Sequence, residues 1–195
     1  MVGLFIVFEG IDGSGKSSVC RTVKKNLESE GMDVIVTAEP TDSEIGRMIR
    51  KGGDFTPETE ALLFVADRAC HTVEIKKWVA QGRIVLCDRY YASTLAYQAA
   101  SLGEDADLEW LTVINEKVSV EPDLTFLLDI DPVSGLDRVG RRGGKSRFEH
   151  LEYQKRVREN YMVIAKKRGF TVIDASKDRK AVASEVLTEI KRRLE

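Results

Sequence analysis

Apolar residues along this chain form short unbroken runs, separated by stretches in which they recur every three or four positions. The runs are LFIVF (4–8), DVIVTA (33–38), RIVLCD (83–88), LTFLLDI (124–130) and FTVIDA (170–175). Continuous rather than alternating, each predicts a strand buried on both faces of a parallel sheet. Between the first two runs, Val19, Val23 and Leu27 fall four apart, which predicts a helix from Lys16 that stops at Gly31. Thr56 followed by Pro57 reads as the cap and first turn of a long helix ending at Gly82. DADLEWLTVINEKVSV, 148–168 and 178–194 are also helical in pattern, and a further helix begins after Asp88-Arg89. Strand–helix alternation of this kind predicts a three-layer α/β/α fold around a five-stranded parallel sheet. There are no internal repeats. The glycine-rich, basic stretch RVGRRGGKSRFE (138–149) reads as a mobile loop between two helices.

Composition narrows the function classes. The chain has 195 residues, which suits one domain over 1–195. With 30 Lys and Arg against 32 Asp and Glu, the net charge is −2, which argues against a general nucleic-acid or membrane binder. Anions must therefore be bound by local clusters of basic residues. No apolar run approaches the length of a membrane span, and the start lacks a basic leader with a cleavage site. Cys20, Cys70 and Cys87 are odd in number and far apart, so free thiols in a reducing cytoplasm are expected. His71, beside an apolar helical face, reads as structural.

The strongest chemical signal lies where the first run meets the first helix. Gly10-Ile11-Asp12-Gly13-Ser14-Gly15-Lys16-Ser17, followed by Ser18, matches the phosphate-binding loop G-x-x-x-x-G-K-[ST] in its required strand-to-helix setting. The glycines let successive amides point at one anion, and the helix N-terminus adds favourable partial charge. Lys16 can reach β- and γ-phosphates, and the Ser17 hydroxyl can ligate magnesium. The fold expected is therefore of the P-loop NTPase type. Asp12 occupies a free position of the pattern. Phosphate oxygens repel a carboxylate, so Asp12 is expected to face a hydroxyl of a second ligand, or else solvent.

Two further segments carry candidate chemistry. The strand 83–88 ends in Asp88-Arg89, and ligands of such sheets bind beyond strand carboxyl ends. Asp88 could hold magnesium through water and Arg89 could clamp a phosphate, unless the two merely pair with each other. Ser93, Tyr97 and Gln98 follow on one helical region, and the Gln98 amide offers the donor and acceptor that complement a pyrimidine edge. In LLFVADRACH, Phe64 and Arg68 share a helical face, which suits a base stacked on the ring and a phosphate gripped by the guanidinium. Taken alone, Phe64 in the core and Arg68 as a surface charge is the better reading.

FEGIDGSGKSS, TAEPTDSEIGRMIR, LLFVADRACH, DRYYASTLAYQ and RVGRRGGKSRFE, in this order over nearly the whole chain, resemble the thymidylate kinase family. The resemblance implies phosphoryl transfer from MgATP to dTMP by a homodimeric enzyme. It implies that Asp12 faces the deoxyribose 3′-hydroxyl, that Phe64 stacks on thymine, and that Arg68 sits by base and phosphate. It further implies that Arg89 and Arg50 bind the monophosphate, that Glu39 lies near acceptor and magnesium, and that Ser93, Thr94, Tyr97 and Gln98 surround base and sugar. The segment 138–149 resembles a small basic lid closing over ATP. Some family members carry an arginine just after the loop aspartate, where this chain has Gly13. The transition-state cation is then expected from Arg138, Arg141, Arg142, Lys145 or Arg147, with Arg142 favoured. Two alternatives stand beside this reading: another nucleoside or nucleoside monophosphate kinase, and a nucleotide-dependent switch. Arg50, Arg68 and Arg89 favour an acceptor that is already an anion, and the chain contains no N-K-x-D to select guanine.

Overall fold

The computed structural model describes residues 3–102, 108–140 and 145–194, with side chains throughout except at 108 and 145–149. In chain order the elements are β1 (Leu4–Glu9), α1 (Lys16–Ser29), β2 (Val34–Ala38), α2 (Glu44–Lys51), α3 (Pro57–Ala80), β3 (Ile84–Asp88) and α4 (Tyr91–Leu102). They continue with α5 (Leu108–Val118), β4 (Leu124–Asp129), α6 (Pro132–Arg138), α7 (Lys145–Arg168), β5 (Thr171–Asp174) and α8 (Arg179–Leu194). The five strands pair in parallel in the order β2-β3-β1-β4-β5. The central strand is thus the one that leads into the phosphate loop.

Crossovers between parallel strands are right-handed. The step from β1 out to β2 therefore puts α1 on one face, and the steps back toward β5 put α3, α4, α5 and α7 on the other. The packing agrees: α1 lies against α8, and α4 against α7, α3 and α5. The core fills both interfaces of the sheet, with Phe5, Ile6, Phe8, Leu86, Phe126 and Leu128 almost wholly buried. Each such side chain contributes roughly 1.5–3 kcal/mol relative to exposure.

The expectation of strands covered on both faces holds for β1 and β3 but not for the two edges. In β2 and β5 buried and open positions mix, leaving Val36 and Val172 exposed. Edge position, which no single run reveals, is the cause. The long helix α3 begins as its sequence implies: Thr56 accepts a hydrogen bond from the Thr59 amide and Pro57 fills the first turn. Helix α2 is not evident in the pattern, because Gly46 interrupts it. Ser43 caps this helix by accepting from the Gly46 amide, and a Cβ at 46 would lie 1.9 Å from the Thr41 carbonyl oxygen. The glycine is demanded by that close approach. Helix α7 starts at Lys145, three residues before the expected 148.

Candidate active site

Five acidic residues stand at the carboxyl ends of strands: Glu9 closing β1, Glu39 just past β2, Asp88 closing β3, Asp129 closing β4 and Asp174 closing β5. Each has different partners; Asp88 lines the first of two cavities and Glu39 the second.

The first cavity, about 350 Å³, is lined by the phosphate loop from Asp12 to Ser18 together with Arg21, Asp88, Arg89, Arg138, Lys177 and Arg179. Lys16 is 6 % exposed, and its ammonium donates to the carbonyls of Gly10 (2.8 Å) and Ile11 (2.9 Å) and to Ser14 Oγ (3.3 Å). Burial, helped by the nearby Arg89 cation, pushes its pKa down to about 7. A phosphate brought to this loop would reverse that shift. Gly13 (φ +80°) lies hard against α6: a Cβ there would sit 2.1 Å from the Gly135 carbonyl oxygen, and one on Gly135 would sit 2.6 Å from that of Asp12. An arginine at position 13 has no room in this chain.

Asp88 and Arg89, adjacent in sequence, do not pair with each other. Ser17 donates to Asp88 Oδ2, while Asp88 Oδ1 is buried without a hydrogen-bond partner. A hydroxyl and an orphaned carboxylate oxygen beside the phosphate loop form a hard-oxygen donor set that suits magnesium. Among the described residues no three acidic, His or Cys side chains converge, so such an ion would take most ligands from phosphate and water.

Arg89 turns the other way, held in left-handed backbone conformation (φ +70°), a strained state for a non-glycine residue that persists at functional sites. Its Nη2 donates to Asp12 Oδ1 (2.6 Å) and to Tyr97 Oη (3.3 Å), and its guanidinium lies over the Tyr97 ring. Burial works against its charge, and Tyr97, Tyr161 and Asp12 more than offset this, raising its pKa. Asp12 Oδ1 accepts from Tyr97 too (3.4 Å), and the residue lines the first cavity and not the second.

The second cavity, about 200 Å³, opens on the far side of Arg89, between α3, α4 and α7. It brings together Glu39, Phe64, Arg68, Arg89, Ser93, Thr94, Tyr97 and Gln98, predicted from three separate segments, and adds Glu60 and Tyr153. Arg68 is not a surface charge. It is 1 % exposed and spends its guanidinium on Glu39 Oε2 (2.9 and 2.6 Å), Thr94 Oγ1 (3.0 Å) and Asn115. Glu39 Oε1 pairs with His71 Nδ1 (3.0 Å), whose other ring nitrogen meets Thr37 Oγ1 (2.7 Å). Both oxygens of Glu39 thus have protein partners, two bonds on Oε2 and one on Oε1. Ser93 is likewise committed, donating to Glu9 (2.6 Å). Arg50 lies outside this pocket. It is bonded to the Pro40 carbonyl and to Asp42, both at 2.6 Å, and lines an adjoining cavity that also reaches Ser17 and Asp88.

Several residues that shape the site had no motif to betray them. Glu9 is wholly buried and accepts from the amides of Tyr90 and Ser93 and the hydroxyls of Ser93 and Tyr161, tying the start of α4 and the middle of α7 to the phosphate loop. Burial raises its pKa against those bonds. Its signal in sequence is a charge closing an otherwise apolar strand. Asp67, next to Arg68, holds the loop after Pro40 through Thr41 and Ser43. Arg138 donates to the carbonyls of Ala175 (3.0 Å), Ser176 (3.5 Å) and Gly13 (3.5 Å). Arg141, Arg142 and the side chains of Lys145 and Arg147 lie outside the described residues.

A phosphate loop on the central strand, facing an enclosed second pocket across one arginine, defines a phosphate-loop phosphotransferase with a separate acceptor site. A family model described as thymidylate kinase matches residues 8–186. A probable thymidylate kinase of Pyrobaculum aerophilum is 42 % identical, over 96 % of each chain. One of Thermococcus gammatolerans is 43 % identical over 84 % of each, and a thymidylate kinase of Halothermothrix orenii is 39 % identical over 98 % of each. The chain belongs to the thymidylate kinase family.

Proposed function

We propose that this chain transfers the terminal phosphoryl group of ATP to dTMP, giving ADP and dTDP. The observation that carries the reading is Arg89, which lines both cavities at once. Donor and acceptor phosphates would meet at that guanidinium. Phosphoryl transfer asks little covalent chemistry of the protein, and positioning with charge neutralisation does most of the work.

On the donor side, the amides of the phosphate loop bind the triphosphate and Lys16 leaves its carbonyl partners for the phosphoryl oxygens. Ser17 and Asp88 would hold magnesium, which neutralises charge on the β- and γ-oxygens when bound with ATP. The segment about 138–149 serves as a lid within one kinase domain, with Arg142 and Arg141 as candidates for the transition-state cation. Arg138, tied to the carbonyls of Ala175, Ser176 and Gly13, is held beside the phosphate loop and would bind ATP there.

On the acceptor side, Phe64 stacks on thymine, Gln98 pairs with its edge, and Asp12 with Tyr97 addresses the sugar. Arg89 and Arg50 receive the 5′-phosphate, which as an anion needs no base to deprotonate it. Arg68 with Thr94 walls the pocket through Glu39. Exposed Leu62 and Val73 on α3 support a homodimer. Three free thiols, two of them buried, support a reducing cytoplasm. Among the described residues no helix is long and apolar enough to cross a membrane.

A coupled assay with ATP and a panel of dTMP, dUMP, dCMP, AMP and thymidine tests the reading. The expected result is dTMP as the best acceptor. AMP or a nucleoside phosphorylated faster than dTMP overturns it.

A further inference from the structure

Gln98 is 2 % exposed, and the two ends of its amide are in unequal positions. Its Nε2 donates to Glu60 Oε2 at 3.1 Å, while its Oε1 is buried with no hydrogen-bond partner. Both residues line the pocket that contains Phe64. Glu60 lies four residues before Phe64 on α3, so the two occupy one face of that helix.

A primary amide has a donor end and an acceptor end of nearly the same shape, and only its partners decide which way it points. An ionised carboxylate accepts and cannot donate. Beside Glu60, the Gln98 amide is therefore confined to one orientation: Nε2 toward α3, Oε1 toward the pocket. Turned over, it would set two acceptors against each other and leave Nε2 unmatched.

We propose that Glu60 is a positioning residue that sets base specificity by holding Gln98 as a hydrogen-bond acceptor only. The ligand chemistry selected is a pyrimidine 2,4-dione, whose ring N3–H donates to Oε1. Cytosine presents an unprotonated N3 at the same place, acceptor against acceptor. This proposal rests on the reading of the pocket as a dTMP site. It goes further in making selection against cytosine a property of Glu60, which touches no base atom itself. It also separates two selections: thymine and uracil share the N3–H, so Glu60 has no part in telling dTMP from dUMP.

The test is Glu60→Gln, measured as kcat/KM for dTMP, dUMP and dCMP in the full-length protein. A glutamine at 60 can accept from Gln98 or donate to it, so both orientations become available. The ratio of dTMP to dCMP should fall at least about tenfold, because an unmatched buried polar group accounts for roughly that factor or more. The ratio of dTMP to dUMP should stay within about twofold, well under the tenfold that 1.4 kcal/mol represents. Glu60→Leu, which removes the enforcing acceptor altogether, should lower the first ratio as well. The exchanged pair Glu60→Gln with Gln98→Glu keeps the charge and again presents only an acceptor to the base, and should restore the preference for dTMP over dCMP.

An unchanged dTMP to dCMP ratio in both single variants overturns the assignment. So does a parallel fall of both ratios, which would mark general damage to the pocket, or failure of the exchanged pair to restore selection. If the unaltered enzyme does not phosphorylate dTMP at all, the functional reading fails first, and that result is distinct from all of these.

Discussion

The phosphate-loop cavity and the base pocket lie on opposite sides of Arg89 and are built in opposite ways. The first is lined in good part by one continuous stretch, Asp12 to Val19, whose backbone amides can point at one anion. The second is made by side chains from α3, α4 and α7 and the loop after β2, separated by up to about a hundred residues of chain. Main-chain amides need only the right loop conformation. Side chains from four elements need a scaffold that holds them, and here it is a buried network: Arg68 with Glu39, Thr94 and Asn115, and Glu39 with His71. Damage on the donor side should therefore spare the fold and stop the chemistry, whereas damage in the acceptor network should reach stability as well.

The largest effect is expected from Arg142→Ala. With Gly13 walled in by Gly135, the loop has no room for an arginine, and the basic segment after α6 is the proposed source of the transition-state cation. Turnover at saturating ATP and dTMP should drop by roughly 10³–10⁵, with ATP affinity nearly kept, as for an interaction made late. Single-turnover rates for Arg142→Ala, Arg141→Ala and Arg138→Ala check this. Losses under about tenfold for all three would place the cation elsewhere. Arg138→Ala should instead raise KM for ATP, since its guanidinium bonds the Ala175 and Ser176 carbonyls and, at 3.5 Å, that of Gly13 in the phosphate loop.

Lys16→Met should cost on the order of 10³ in turnover, the several kcal/mol that charge stabilisation contributes at a water-excluded site. The folded protein should survive, because the change also removes a buried ammonium. Near-normal turnover would refute the donor-site reading.

Arg68→Ala sharpens the contrast from the other side. It leaves Glu39 buried beside no guanidinium, and loss of one partner of such a pair costs roughly 3–5 kcal/mol of stability. Chemical denaturation should show that loss together with weakened dTMP binding. A variant that loses dTMP binding at unchanged stability would show that the network is not the scaffold of the pocket.

Asp12→Ala frees Arg89 and Tyr97 and should raise KM for dTMP by about tenfold, the size of one lost charged hydrogen bond, while leaving ATP binding largely intact. Steady-state kinetics with each substrate varied in turn decides it. Weakened ATP binding with unchanged dTMP kinetics would assign Asp12 to the wrong ligand.

The last effect is in pH. Lys16 has an ordinary pKa of 10.5 and one of about 7 in the folded chain. Between those values the unfolded chain binds the extra proton, so the stability of the ligand-free protein should rise as pH climbs through that window. The cost of the buried ammonium is fully present below it. Denaturation midpoints at pH 7 and pH 9 should show this rise in the unaltered protein and not in Lys16→Met. ATP should also drive proton uptake near pH 8, visible as a buffer-dependent binding enthalpy. The same rise in the Met variant would remove Lys16 as its source.

How much of this was readable in advance follows the same division. Gly10 to Ser17 was legible because a phosphate loop is local: glycine spacing, a strand before and a helix after specify it within ten residues. Asp88 and Arg89 were legible as a pair but not in their partners. Only the neighbouring elements sent one to Ser17 and the other to Asp12. Phe64 and Arg68 were visible as one helical face, yet that face alone favoured the arginine in solvent, because nothing local to α3 shows that Glu39 and Asn115 wait across the pocket.

The sequence by itself determined most of the element types, the parallel sheet, the phosphate-loop motif and the family. Each is written in short-range periodicity or in contiguous residues, where i to i+4 spacing and a single turn carry the physics. Tertiary structure alone decided that β2 and β5 are edges, that Gly13 abuts Gly135, that Glu9 ties α4 and α7 to the loop, and that Glu60 faces Gln98. These are meetings of residues far apart in the chain, and each is settled by how buried polar groups find partners once the sheet has brought its strand ends together.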